Sequence, residues 1–171
     1  MKLVELEVER QDWNSVRCGC GHTASHVEQD LLWLANGGDG GRLIDVRRLD
    51  GHVLMPSVLC EPAVPVMRVT LSVLSDDVSV PVRRAFSEIA LRLVAGEGQT
   101  KEAASNGRDL VNECIAIARE GIWLFYSEIL SGRDIDTASN VYEALTLIEK
   151  DTDRLSRVQA VLGENLSWDL R

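Results

Sequence analysis

The 171-residue chain is 45% hydrophobic and 26% charged, the balance of a folded globular domain and not of a disordered chain. Its formal net charge of -9 repels a phosphate backbone, so direct binding to nucleic acid or to an anionic membrane is not expected. Aromatic residues make up only 5%, so aliphatic side chains must fill most of the core, which suits close helix–helix packing.

The N-terminal run Met1-Lys2-Leu3-Val4-Glu5-Leu6-Glu7 carries glutamates where a signal peptide needs an apolar stretch, and a cytoplasmic chain is expected. Residues 3–9 alternate polar and apolar, which predicts a short extended arm or edge strand. Asp12 then caps a turn holding Trp13 and Val16, and Cys18-Gly19-Cys20-Gly21 is a turn-rich break. Ser25 and Glu28 have capping-box spacing. The helix after them places Val27, Leu31, Leu34 and Ala35 on one face and ends at Asn36-Gly37-Gly38. A short helix over 42–49, stopped by Asp50-Gly51, follows.

Proline is tolerated in a first helical turn, so the next long helix starts near Ala63, with Val66, Val69, Val73 and Leu74 sharing a face. Ser79 caps another, with Pro81 just inside and Val82, Phe86, Ile89, Ala90 and Leu93 as its stripe. A polar connector predicts a mobile loop over 97–106. Asn106 caps a long apolar helix running to Ile129, in which Gly121 marks a kink or a close helix crossing. Two more helices follow, over 137–150 and from a cap at Asp151 to Leu162. The tail over 164–171 is loose except at Leu166 or Trp168.

These elements predict a single all-α domain of antiparallel helix pairs. N-terminal helices span 10–96 and C-terminal helices span 107–163. One junction goes further. Leu71-Ser72-Val73-Leu74-Ser75-Asp76-Asp77, followed by Pro81-Val82-Arg83-Arg84-Ala85, resembles the turn between the two helices of a HEAT-type repeat. More widely, Asp12-Trp13, Ala24 through Val27 to Leu31-Leu32, Gly51-His52 and Ala63-Val64-Pro65-Val66 resemble a group of bacterial HEAT-like proteins, with departures at Glu28 and Met67. The resemblance implies a short α-solenoid that serves as a binding scaffold.

Chemistry is sparse. Cys18-x-Cys20-x-His22-x-x-x-His26 offers zinc-ligand types, yet its spacing is not a usual structural-zinc pattern. A helix starting at Ser25 would also separate the two histidines. No metal, cofactor or catalytic residue is therefore assigned. Cys60 and Cys114 lie in apolar surroundings without an identifiable base. Gly37-Gly38-Asp39-Gly40-Gly41 lacks the Gly-Lys-Ser/Thr ending of a phosphate loop.

The acidic residues gather late in the chain, around aromatics on the long helix. Glu120, Trp123, Tyr126, Glu128, Asp134, Asp136 and Glu143 are thus the expected partner-binding residues. The functional expectation is a non-catalytic protein-binding protein, such as an immunity protein neutralising a basic toxin. A structural adaptor or self-associating scaffold is the alternative, and a metal-dependent hydrolase using His22 and His26 is a third.

Overall fold

The computed structural model describes residues 2–40 and 44–170. Among these residues the chain is mostly helical: α1 (Leu3–Arg10), α2 (Ser25–Ala35), α3 (Ala63–Ser75), α4 (Val80–Val94), α5 (Lys101–Ser105), α6 (Leu110–Glu120), α7 (Ile122–Leu130), α8 (Ile135–Ile148) and α9 (Thr152–Leu162). A small sheet joins them, formed by β1 (Leu54–Met55), β2 (Val58–Leu59) and β3 (Gly98–Gln99). No described helix is long and apolar enough to cross a membrane.

Two helices form the spine. α3 packs on α1, α4 and α6, while α4 packs on α6 and α8. Their shared core includes Val66, Met67, Val73, Phe86, Ile89 and Leu93, all essentially removed from water. Arg83 closes the α3–α4 hairpin: its guanidinium donates to the carbonyls of Leu74 (3.0 Å) and Asp76 (2.6 Å), satisfying acceptors at the C-terminal end of α3 that the helix itself leaves unpaired. The α7–α8 hairpin stands beside it. Arg84 pairs with Asp134, and three residues further along α4 the Ser87 hydroxyl accepts from Asn140 (3.1 Å). The contacts advance together along both helices, so α4 and α8 run in the same direction.

Helix starts follow the capping chemistry. Asp109, Asp134 and Asp151 each accept the backbone N–H three residues on, opening α6, α8 and α9. At Gly121 the predicted long helix breaks into α6 and α7, and a Cβ there would stand 2.9 Å from Leu71 Cδ2. Kink and close crossing therefore coincide at this glycine.

Several expectations are corrected. Residues 3–9 are helical, with Val4 and Val8 buried one turn apart and Glu5 accepting the Lys2 N–H (2.9 Å). Ser25 is the first residue of α2, not its capping side chain. The cap of α6 is Asp109 and not Asn106. Over 42–49 the described part is a single 3-10 turn, Val46–Leu49, capped by Asp45; residues 41–43 lie outside the described residues.

The 97–106 connector is built into the fold. Glu97 N–H donates to Ser57 O (2.9 Å) and Thr100 N–H to Leu59 O (3.0 Å), so β3 pairs parallel with β2. Thr100 then caps α5. The α3–α4 hairpin is thus the crossover between β2 and β3. In the tail, Leu166 is buried and Trp168 is 84% exposed.

Candidate metal centre

The break at Cys18-Gly19-Cys20-Gly21 is a tight turn with its own internal bonds. Cys18 N–H donates to His22 O (2.8 Å), and Gly21 N–H donates back to Cys18 O (2.9 Å). Gly21 has φ +88°, a conformation that glycine adopts without strain. Gly19 N–H donates to His52 O (2.9 Å), pressing the turn against the loop between the 3-10 turn and β1. That loop is fixed in turn by Gly51 N–H to Leu54 O (2.7 Å) and Cys60 N–H to Val53 O (2.9 Å). Tertiary backbone bonding therefore delivers His52 to the cysteines, while the first turn of α2 delivers His26.

Four donor atoms converge. Cys18 Sγ lies 3.4 Å from His26 Nε2 and 3.3 Å from His52 Nδ1, and the two nitrogens are 2.9 Å apart. Cys20 Sγ is 4.0 Å from His26 Nε2. All four atoms lie within 4.8 Å of one another. Zinc–sulfur and zinc–nitrogen bonds of about 2.3 and 2.0 Å at a tetrahedral angle give S···N edges of about 3.5 Å and an N···N edge of about 3.3 Å. The Cys18 edges match this figure. The longest edge, up to 4.8 Å, runs from Cys20, so an ion would draw that thiol inward by about an ångström and spread the imidazoles by a few tenths.

Cys18 is buried, the two imidazoles are half-buried and Cys20 is exposed. Without a metal, burial foremost pushes the Cys18 thiol up to about 11, with nearby thiols adding to it. Its sulfur then remains protonated at neutral pH, in position to donate to His52 O (3.5 Å). A bound divalent ion would reverse that balance by stabilising the thiolate directly.

The structure separates the sequence-predicted candidates. Cys18, Cys20 and His26 come together as ligand types, but His22 is exposed and the cluster takes His52 instead. His22 contributes through its backbone, as the acceptor that closes the cysteine turn.

The seven residues expected to bind a partner do not form one free face. Glu128 is buried, pairing with Arg83 and, at 3.3 Å, with Arg133. Asp134 caps α8 and pairs with Arg84, which also holds Asp136 at 3.0 Å. Burial works to raise the Asp134 carboxyl, but hydrogen bonds from Arg84 and Thr137 outweigh it and hold it below its ordinary range. Tyr126 is buried and donates its hydroxyl to Glu149 (2.5 Å). Glu143 is half-buried, Glu120 is exposed, and Trp123 is 66% exposed with Arg154 stacked 5.1 Å from its ring centre.

No protein-family profile, curated protein or solved structure matches the chain.

Proposed function

We propose that this chain is a zinc-binding helical protein in which Cys18, Cys20, His26 and His52 hold one ion in a closed, structural centre. The observation that carries the proposal is the convergence of two sulfurs and two ring nitrogens, from three separate stretches of chain, within 4.8 Å. The donor set fits zinc: two thiolates and two imidazoles are the tetrahedral S2N2 combination. Four protein ligands leave no open position for water, so the ion's role is to fasten the cysteine turn and the His52 loop to α2.

The test is metal content of protein made without a polyhistidine tag in zinc-supplemented medium. One zinc per chain is expected by elemental analysis. Cys18→Ser and His52→Ala should each fall well below stoichiometry, whereas His22→Ala should keep the ion. A wild-type chain free of zinc, or equal loss in His22→Ala and His52→Ala, overturns the proposal.

A second reading, protein binding on a HEAT-like stack, has separate support. The α3–α4 and α7–α8 hairpins lie side by side with α4 and α8 parallel, as in stacked repeats. Trp123 is an exposed aromatic of the kind that anchors interfaces. If the partner is a basic toxin encoded nearby, co-expression with this chain restores growth and Trp123→Asp abolishes the rescue. Rescue unaffected by that substitution places the binding face elsewhere.

A further inference from the structure

The two ligand sulfurs differ in what reaches them. Cys20 is exposed, Cys18 is buried, and a single glycine separates them in the chain. Their Sγ atoms lie no more than 4.8 Å apart. In a tetrahedral zinc centre the S···S edge is about 3.8 Å, so a bound ion gathers the pair further. A disulfide bond is about 2.05 Å long, which leaves roughly 2 Å to close. Being exposed, Cys20 can swing that far by side-chain rotation without disturbing a packed core. Cys60, the other thiol nearby, is placed differently. It is 1% exposed, and its Sγ lies 2.8 Å from where a Cβ on Gly19 would be, against the backbone between the two ligands. The sulfur that stands ready for Cys20 is therefore that of Cys18.

We infer that Cys18 and Cys20 form a reversible oxidation site, a peroxide-sensitive ligand pair that closes to a disulfide and gives up the ion. The inference rests on the zinc reading above. Hydrogen peroxide is the co-reactant. The exposed Cys20 thiolate gives an electron pair to one peroxide oxygen as the O–O bond breaks, and becomes a sulfenic acid. The other oxygen leaves as hydroxide and becomes water with a proton from solvent. The Cys18 thiolate then attacks the Cys20 sulfur and the S–O bond breaks. That second hydroxide takes another solvent proton. Two sulfurs have together lost two electrons, and one peroxide has become two waters. Both thiolate ligands are consumed in one bond, so the ion keeps only His26 and His52 and departs. Because the attacking sulfur is already beside its target, the sulfenic acid is captured before more peroxide turns it irreversibly to sulfinic acid. Loss of the ion also unfastens the His52 loop from α2, leaving the Gly19–His52 backbone bond to hold it to the cysteine turn.

The experiment treats zinc-loaded protein with hydrogen peroxide and follows the ion with a chromogenic chelator. Free thiols are then alkylated and tryptic peptides mapped without reduction. Cleavage after Arg17 and Arg42 leaves Cys18 and Cys20 on one peptide, and cleavage after Arg48 puts Cys60 on another. Wild type should release one zinc per chain in step with loss of both alkylation sites from the 18–42 peptide, which becomes two hydrogens lighter. Phosphine reduction and added zinc should restore the full ion content. Cys60→Ser should release, close and reload as wild type does. Cys20→His keeps four zinc ligands without an exposed thiol, and its zinc should leave at least about tenfold more slowly at the same peroxide concentration. If Cys20→His does not load, the wild-type and Cys60→Ser maps decide the matter. Zinc held by wild type through peroxide treatment, release with both thiols of the 18–42 peptide still alkylated, a cross-link to Cys60, or Cys20 sulfinic acid without reloading overturns this inference and leaves the zinc proposal standing. Absence of zinc before peroxide overturns both.

Discussion

A Cβ at position 19 would meet the Gly51 carbonyl oxygen at 2.5 Å and Cys60 Sγ at 2.8 Å. Both distances are shorter than any unstrained contact, and the first neighbour is backbone held by its own loop bonds. Gly19→Ala should therefore destabilise the protein by about 1–3 kcal/mol and weaken zinc retention, as measured by urea unfolding and elemental analysis. Unchanged stability would mean that the turn stands off from the Gly51 loop. Glu128 gives a second test at this scale. Its side chain is 5% exposed and neutralises Arg83, which is 8% exposed. Glu128→Ala should cost about 3–5 kcal/mol, because it strands a buried guanidinium. A loss below about 1 kcal/mol would mean that water reaches Arg83. The cysteines and His26 were legible in the sequence as ligand types. His52 was not, because its place depends on the Gly19–His52 backbone bond, which no spacing rule encodes. His22 had the better spacing and the wrong exposure.

Among the elements, the long helices were legible because their apolar stripes are backed by caps and stops. α3 starts just after Pro62 and stops at Asp76, and α4 starts just after Ser79, which holds the N-cap position without a side-chain bond, with Pro81 in the first turn. α1 was misread since Val4, Leu6 and Val8 satisfy period two, while the pair Val4 and Val8 equally satisfies i, i+4. The sheet escaped notice because each described strand has two residues, too few for any alternation to register. Among the acidic residues expected to face a partner, Glu128, Asp134 and Asp136 pair with Arg83 or Arg84 on α4, about fifty positions away, which no local pattern encodes. At the α6–α7 break, the added Cβ would meet the flexible end of Leu71 and not backbone. Gly121→Ala should thus cost distinctly less than Gly19→Ala in the same urea titration. The reverse order would place the rigid contact at the helix crossing.

The molecule as a whole should respond to pH in opposite senses with and without metal. In the metal-free protein, burial raises the thiols of Cys18 and Cys60 to about 11 and Cys114 to about 12, from an ordinary 9.0. Groups whose folded value is raised favour the folded state fully below the unfolded value. That contribution is lost as pH climbs toward the folded one. Metal-free stability should accordingly hold up to about pH 9 and fall between 9 and 12, with each thiol adding at most about 1.4 kcal/mol per pH unit. Zinc displaces protons from its ligands, so its stabilisation grows as pH rises from the acid side. Melting temperatures with and without a chelator across pH 5–11 check both slopes; parallel curves would mean that the ion does not bind the folded chain.

His26 and His52 lie on either side of the turn at Gly37, Gly38 and Gly40, all three with positive φ, which is half-buried at Gly37 and Gly38 and exposed at Asp39 and Gly40. A protease that cuts this turn divides the ligands unequally, with Cys18, Cys20 and His26 on one fragment and His52 on the other. The ion then becomes an inter-fragment clasp. The nicked protein should migrate as one species on a native gel and come apart more readily when a chelator is added, which makes residues 1–39 and 40–171 a natural pair for metal-dependent fragment complementation.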